Sequence, residues 1–431
     1  MYRSPSDAEA PVEAAVDAEC LEGGEKAPLV AKITYGSSDD AVASRVNAAQ
    51  HMTSDGEYNC FRQRYLVAYL CGHGAIWMKA PYVYSLYQAF GFSHSQISML
   101  YCAGYGSSVV FGLLASILSD KYGRRRMCLV FCVLFALQAA LHNSRRYDVL
   151  VAARIVGGVA TTIFYSCFEA WMVGEHRRRF SDKPISRIFS LQAQAQPWLA
   201  LGCGFVGDLT VRYAGVTAPV AACAPFLLIC TRLVYQWPEH TFEPKVHSDS
   251  QPMSPMDGAV LRVGALQSLF EGPMHIFFFL WTPLLNQTSH TVPLGCIFVI
   301  FMLGMWLGGV SHSRERFRPP LAVVFTVAAV CLMVPTLLSN FSPRFAAFVV
   351  FEASCGCYFP SISTLRSQHF PERTRATTIA LFRIPLCLSV ICGLLWGGNL
   401  SPQANLILSS GVLVLGALLC CTLPRDLRTE H

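Results

Sequence analysis

Six ionisable side chains stand inside stretches that are otherwise apolar: Lys79, Arg154, Glu271, His275, Glu352 and Arg383. Glu169 lies near the inner end of the stretch that holds Arg154. Ionisable groups are costly in hydrocarbon, and where they occur they mark substrate, ion or proton pathways. Leaving out His275, three bases face three acids, which allows two readings. In one, the charges pair internally and simply hold helices together. In the other, they surround a polar cavity at mid-depth. Lys79, Arg154 and Arg383 then bind an anion, Glu271 and Glu352 serve as proton or ion-pair partners, and Glu169 belongs to an inner gate. His275 alone reads as a packing residue.

A second constellation is the loop Ser119-Asp120-Lys121-Tyr122-Gly123-Arg124-Arg125-Arg126. Gly123 permits a tight turn, and Asp120 is placed to meet a neighbouring helix end or the arginines. A plain positive-inside anchor needs neither feature, so Asp120, Gly123, Arg124 and Arg125 are read as a conformational latch. Other motifs carry no chemistry. Gly202-x-Gly204-x-x-Gly207 fits a dinucleotide pattern but has no strand before it, and small residues at that spacing let membrane helices pack closely. Arg177–Arg179 follow the end of a span, so nucleic-acid binding explains them poorly. No P-loop lysine motif, Ser/His/Asp grouping or zinc-ligand set is present in a loop. The sequence implies no enzyme, no cofactor and no resident metal.

The elements that position these residues follow from composition. The chain has 431 residues, 53% of them hydrophobic and 14% charged, with a mean hydropathy of +0.40. Soluble globular chains carry about 25% charged residues. Here the apolar residues come in long runs, and a helix needs about 20 of them to cross a bilayer. The runs predict twelve spans, at about 65–90, 96–118, 127–143, 147–173, 187–210, 214–234, 260–285, 291–310, 319–339, 343–365, 376–398 and 402–422. The expected class is an all-α membrane protein.

Charge orients the spans. With the N-terminus inside, eighteen Lys and Arg fall in internal loops and the C-terminal tail. Four fall outside: Arg145, Arg146, Arg212 and Arg344. Such an excess marks the cytoplasmic face. The sequons at Asn286, Asn340 and Asn399 all fall in external loops. Residues 1–60 hold eleven acidic and four basic side chains, lack apolar periodicity and read as a disordered cytoplasmic tail. They also lack the pattern of a cleavable signal. Eighteen cysteines lie almost entirely in apolar runs, where cysteine behaves as a small hydrophobe.

The polar, proline-rich stretch 235–259 reads as a linker between two halves, 61–234 and 260–422, with 423–431 as a C-terminal tail. Internal repetition supports this division. Arg154 and Gly158 in span 4 match Glu352 and Gly356 in span 10, and Arg187 and Pro197 in span 5 match Arg375 and Pro385 in span 11. A six-plus-six duplication is the architecture of many secondary transporters.

The latch loop resembles the signature of the major facilitator superfamily between its second and third helices, with Ser116 where a glycine is usual. More narrowly, the chain resembles the eukaryotic molybdate-anion transporter family. The resemblance rests on WMKAPYVY (77–84), FEAW (168–171) with Glu175-His176, QSLFEG (267–272) and FLWTP (279–283). It continues through Phe351-Glu352, FPS (359–361), RSQ (366–368) and FRIPL (382–386). It implies a twelve-helix carrier of two six-helix pseudo-repeats that takes up molybdate by alternating access. Arg154, Glu169, Gln267, Glu271, Glu352, Arg366 and Arg383 match the family pattern by position, which adds Gln267 to the substrate-binding set. Span 1 departs from it: Ile76 stands where an acid is usual, and Lys79-Ala80 where Gln-Gly is usual. Losing an acid and gaining a base favours anion binding.

The expected function is therefore secondary active transport of a small inorganic oxyanion, with molybdate first, by a monomer in the lipid bilayer of the plasma membrane. Protons are the candidate coupling ion, and both termini are cytoplasmic. A proton-coupled carrier of an organic anion or drug-like solute is the alternative within the class. A non-transporting scaffold or receptor is the alternative outside it.

Overall fold

A computed structural model describes residues 39–79, 82–239, 257–286, 294–396 and 401–422. The core of the expected linker, the C-terminal tail, most of the N-terminal tail and the sequon at Asn399 lie outside the described residues. Contacts divide the chain between Arg64 and Tyr65. Of the first unit, the described part is the start of one helix; the second unit is a helical bundle, with no strand among the described residues.

In chain order the helices are α1 (Asp39–Lys79), α2 (Val83–Ala89), α3 (His94–Ser107), α4 (Leu113–Tyr122), α5 (Arg124–Leu141), α6 (Tyr147–Arg179), α7 (Ser186–Ala214), α8 (Ala218–Ala221) and α9 (Cys223–Tyr235). Then come α10 (Gly258–Asn286), α11 (Leu294–Ser313), α12 (Leu321–Leu337), α13 (Phe341–His369), α14 (Arg375–Leu381), α15 (Ile384–Trp396) and α16 (Pro402–Cys421). Among the described residues they group into twelve crossings, because four crossings are assembled from paired elements: α1 with α2, α3 with α4, α8 with α9, and α14 with α15. By length and composition, six of the crossings are long and apolar enough to span a membrane, and 297–313 and 321–337 are shorter apolar helices.

The joints have local causes. Helix α1 begins within the stretch read as tail, where Ala41, Ala43, Ala48 and Ala49 are strong helix formers. Ser93 starts α3 with a capping box: its hydroxyl accepts from the Gln96 backbone N–H while the Gln96 side chain accepts from its own. A π-helical turn, Ser108–Gly112, joins α3 to α4. The expected span 11 is interrupted at Phe382-Arg383, because Pro385 has no N–H to give the carbonyl four residues back. Arg383 therefore sits at a helix break rather than in mid-helix.

Packing repeats between the halves. A methyl added at Gly158 on α6 would lie 2.1 Å from the Gly104 carbonyl oxygen on α3. At Gly356 on α13, it would lie 2.0 Å from the Met305 carbonyl oxygen on α11. Crossing 4 meets crossing 2 as crossing 10 meets crossing 8, through glycines at matched positions. Outward-facing residues such as Leu228 (71% exposed) and Phe205 (68% exposed) form an apolar exterior, as a bilayer-facing surface requires.

Candidate functional site

A cavity of about 240 Å³ opens where α1, α3, α5, α6, α10 and the α14–α15 break converge. Lys79, Arg154 and Arg383 all line it, together with Gln138, Tyr101, Tyr105, Tyr165, Thr161, Ser108 and His275. Among the described residues, no carboxylate is in its lining. The three cations that sequence spacing singled out are thus brought together, from positions up to 304 residues apart (383 minus 79).

Each cation is held differently. Lys79, 5% exposed at the end of α1, donates to the Gln138 side-chain oxygen at 2.5 Å, and its ammonium lies 3.9 Å from the Phe135 ring centre. Arg154 donates through Nε to the Leu100 carbonyl at 3.3 Å, and its guanidinium lies over the Tyr101 ring at 4.2 Å. A methyl at Gly104 would sit 3.2 Å from that guanidinium, so the glycine makes room for it. Arg383 lies over the Tyr165 ring at 4.5 Å and has a carboxylate neighbour, Glu271, at 3.7 Å. Aromatic faces attract cations without neutralising them. Among the described residues, no carboxylate comes within 4 Å of Lys79 or Arg154.

Below Arg383 the charges form a chain. Glu271 is 3.8 Å from Arg366, and Arg366 makes a two-pronged bond with Glu169 at 2.6 and 3.1 Å. Two acids and two bases alternate, all buried or nearly so, in the paired arrangement that buried charge requires. His275 donates through Nδ1 to the Glu271 carbonyl, 2.9 Å away.

Two of the expected residues stand apart. Glu352 is 2% exposed, with Oε2 unpartnered and no cation within 4 Å among the described residues. Gln267 is fully buried with both amide atoms unpartnered, while its backbone oxygen accepts from Tyr358. Neither lines the cavity.

The latch residues meet the other half of the bundle. The Asp120 carboxylate accepts from the backbone N–H of Ala376 and Thr377 at 3.3 and 2.8 Å, and from the Thr377 hydroxyl at 2.9 Å. It also takes Arg124 at 3.3 Å. Arg124 donates to the Ala170 carbonyl at 2.8 Å and to both the carboxylate and the carbonyl of Glu372. Glu372 is bonded in turn by Arg375 at 3.3 Å, with Arg177 at 3.8 Å. Arg125 faces away from this junction. It donates to the Tyr235 carbonyl at 2.7 Å, and its backbone N–H, with that of Arg126, is capped by the Glu239 carboxylate. Gly123 has φ +118°, and a methyl there would lie 2.4 Å from that carboxylate. The turn therefore needs glycine on two counts.

Sequence reasoning passed over Gln138, Glu372, Glu239 and Thr377. Gln138 carried a signal, as an amide inside an otherwise apolar run. The others are ordinary loop or helix-start residues whose importance lies in partners more than one hundred residues away.

The profile of a transporter family described as sugar transporters, 12 TM, a branch of the major facilitator superfamily, matches residues 39–351. A molybdate-anion transporter of Takifugu rubripes is 33% identical over 383 residues, covering 78% of this chain and 79% of its own. A molybdate-anion transporter of Xenopus laevis is 29% identical over 404 residues, covering 88% and 89%. Among solved structures, a human organic anion transporter superposes with a TM-score of 0.66 at 15% identity, covering 83% of this chain and 98% of that one. A proton:xylose symporter gives 0.64 at 14% identity, covering 83% and 94%. At those identities the structural matches speak to fold alone.

Proposed function

The chain belongs to the major facilitator superfamily, as a multi-pass membrane transporter, and from that premise we propose that it carries a small inorganic oxyanion, molybdate first, by alternating access. The observation that carries this reading is the cavity with cations and no carboxylate in its lining. A tetrahedral dianion cannot cross hydrocarbon unaided. Two cations without acid partners attract it, and Tyr, Thr and Gln side chains supply hydrogen bonds that fix its orientation. The relatives named as molybdate-anion transporters favour the same cargo.

The other charges take supporting roles. The Glu169–Arg366–Glu271–Arg383 chain links the cavity to the basic end of the bundle, where Asp120 and Arg124 tie the two halves together. That junction is the inner gate, closed in this conformation. Opening it exchanges these bonds for water, and Glu271 and Glu352 are the candidate proton carriers. The Lys and Arg asymmetry supports cytoplasmic termini, and the reading is completed by the plasma membrane as location and a monomer as the working unit.

Aromatic lining from Tyr101, Tyr105, Tyr165 and Phe135 favours a second reading, a carrier of a compact organic anion. Counterflow of labelled molybdate in proteoliposomes separates the two. Expected is exchange that tungstate and sulfate compete for and organic carboxylates do not. Exchange blocked only by organic anions selects the second reading, and no exchange of any anion points to a non-transporting scaffold.

A further inference from the structure

The cavity's cations are held by two different chemistries, and the difference fixes how much charge is left for a ligand. Arg383 belongs to the alternating chain with Glu271, Arg366 and Glu169, which sums to zero. Lys79 and Arg154 are not matched in this way. The close partner of Lys79 is the neutral amide of Gln138, and that of Arg154 is a backbone carbonyl.

We propose that Gln138 sets the charge selectivity of the site: by holding Lys79 through an amide it leaves two uncompensated cations, which select a doubly charged tetrahedral oxyanion over a singly charged one of the same shape. This rests on the oxyanion reading above and goes beyond it by naming the discriminating residue. An amide oxygen accepts from an ammonium as a carboxylate oxygen does, but adds no charge. Glutamate at 138 would keep the bond and cancel one cation. The backbone reserves the position for a side chain of this length: a methyl on Gly157 would lie 1.9 Å from the Gln138 amide nitrogen. Gln138 is itself 4% exposed, so its choice of amide is felt where solvent screens little. The bound dianion then supplies the counter-charge that the protein withholds.

Molybdate and perrhenate test this, since both are tetrahedral and of similar size and differ by one charge. Binding of each to purified full-length protein is measured at one pH and ionic strength. The wild type is expected to prefer molybdate by roughly tenfold or more, as an extra unit charge at close range implies. Gln138→Glu is expected to narrow that preference by about tenfold, through loss of molybdate affinity with perrhenate affected less. A folded Gln138→Glu variant with the wild-type ratio overturns the proposal. Lys79→Gln removes the same charge by another route and is expected to narrow the ratio equally. If Gln138→Glu does not fold, an unchanged ratio in Lys79→Gln overturns the proposal in its place. A wild type that binds neither anion instead sinks the oxyanion reading beneath it, a result distinct from equal binding of both, which sinks only the charge selectivity.

Discussion

The two halves of the bundle share a helix scaffold yet treat charge in opposite ways. In the first half, Lys79 and Arg154 face the cavity with an amide, a carbonyl and aromatic rings for company. In the second, Arg366 and Arg383 are bracketed by Glu169 and Glu271, the former reaching across from the first half. The contrast is sharpest at the matched positions of crossings 4 and 10: Arg154 lines the cavity, and Glu352 is buried away from it. A duplicated frame thus contributes to the cavity, from its first half, two cations with no carboxylate within 4 Å among the described residues, and from its second half a cation, Arg383, whose chain of charges is paired. Stability and binding should separate along that line.

The largest expected effect is on the paired side. Arg366→Gln strands Glu169, whose carboxylate holds Arg366 at 2.6 Å with both side chains under a tenth exposed. Removing one partner of such a pair costs about 3–5 kcal/mol, read as a large fall in detergent melting temperature. Adding Glu169→Gln is expected to recover most of it. A melting temperature unmoved by Arg366→Gln would erase the contrast between the halves.

On the unpaired side the expectation reverses. Arg154→Gln abandons no acid, so melting should hold or rise. Molybdate affinity should fall by about 2 kcal/mol or more, the loss typical when one member of a buried charged contact is truncated. Binding isotherms beside melting curves check both halves of the statement. Wild-type affinity with Arg154→Gln would remove this residue from the binding site.

The scaffold that the halves share should fail symmetrically. Gly158→Ala and Gly356→Ala each drive a methyl to about 2 Å from a carbonyl oxygen of the facing helix. Overpacking of this kind costs about 1–3 kcal/mol. Similar falls in melting temperature for the two variants would confirm matched packing, and a fall in only one would confine it to that half.

Where the halves touch, the effect should be on rate. Asp120→Asn keeps its shape but weakens bonds to Ala376, Thr377 and Arg124, and hydrogen bonds to a charged group are worth about 1.5–3 kcal/mol. Loosening this junction should change turnover in counterflow while leaving molybdate affinity near wild type. Unchanged turnover at matched expression would leave the loop as a topological anchor.

Much of this arrangement is legible in the sequence. Apolar runs gave the crossings, because a bilayer forces continuous helices. Ionisable residues within them were conspicuous, because hydrocarbon makes each one costly. The turn at Gly123 was legible because glycine is needed there for its backbone angle. What was hidden was partnership. Sequence shows Lys79 and Glu271 as opposite charges in one set, but not that Lys79 takes an amide while Glu271 takes arginines. It shows Glu372 as one loop acid among several, though it joins three arginines at the junction of the halves. Pairing across long stretches of chain is set by how helices pack, and no local pattern encodes it. The break at Phe382-Arg383 was written in Pro385, but an apolar run on both sides concealed it.

The smallest effect on stability is expected at Glu352, the position matched to Arg154. Its Oε2 is unpartnered, and no cation among the described residues lies within 4 Å, so Glu352→Gln abandons no ion pair. The two side chains are nearly isosteric, and volume-conserving changes in a packed interior usually cost less than about 1.5 kcal/mol. The melting temperature should barely move, in contrast with Arg366→Gln. Function offers the finer reading. A buried acid with no structural partner suits a proton relay, and a glutamine cannot carry the proton. Counterflow exchange, which needs no driving ion, should therefore persist in Glu352→Gln. Accumulation of molybdate against its gradient, driven by an imposed pH difference, should be lost. If pH-driven accumulation survives intact, Glu352 is not the coupling group, and Glu271 becomes the acid to test. If exchange fails as well in a protein that melts normally, Glu352 acts on the substrate itself, and the contrast with Arg154 would have to be redrawn.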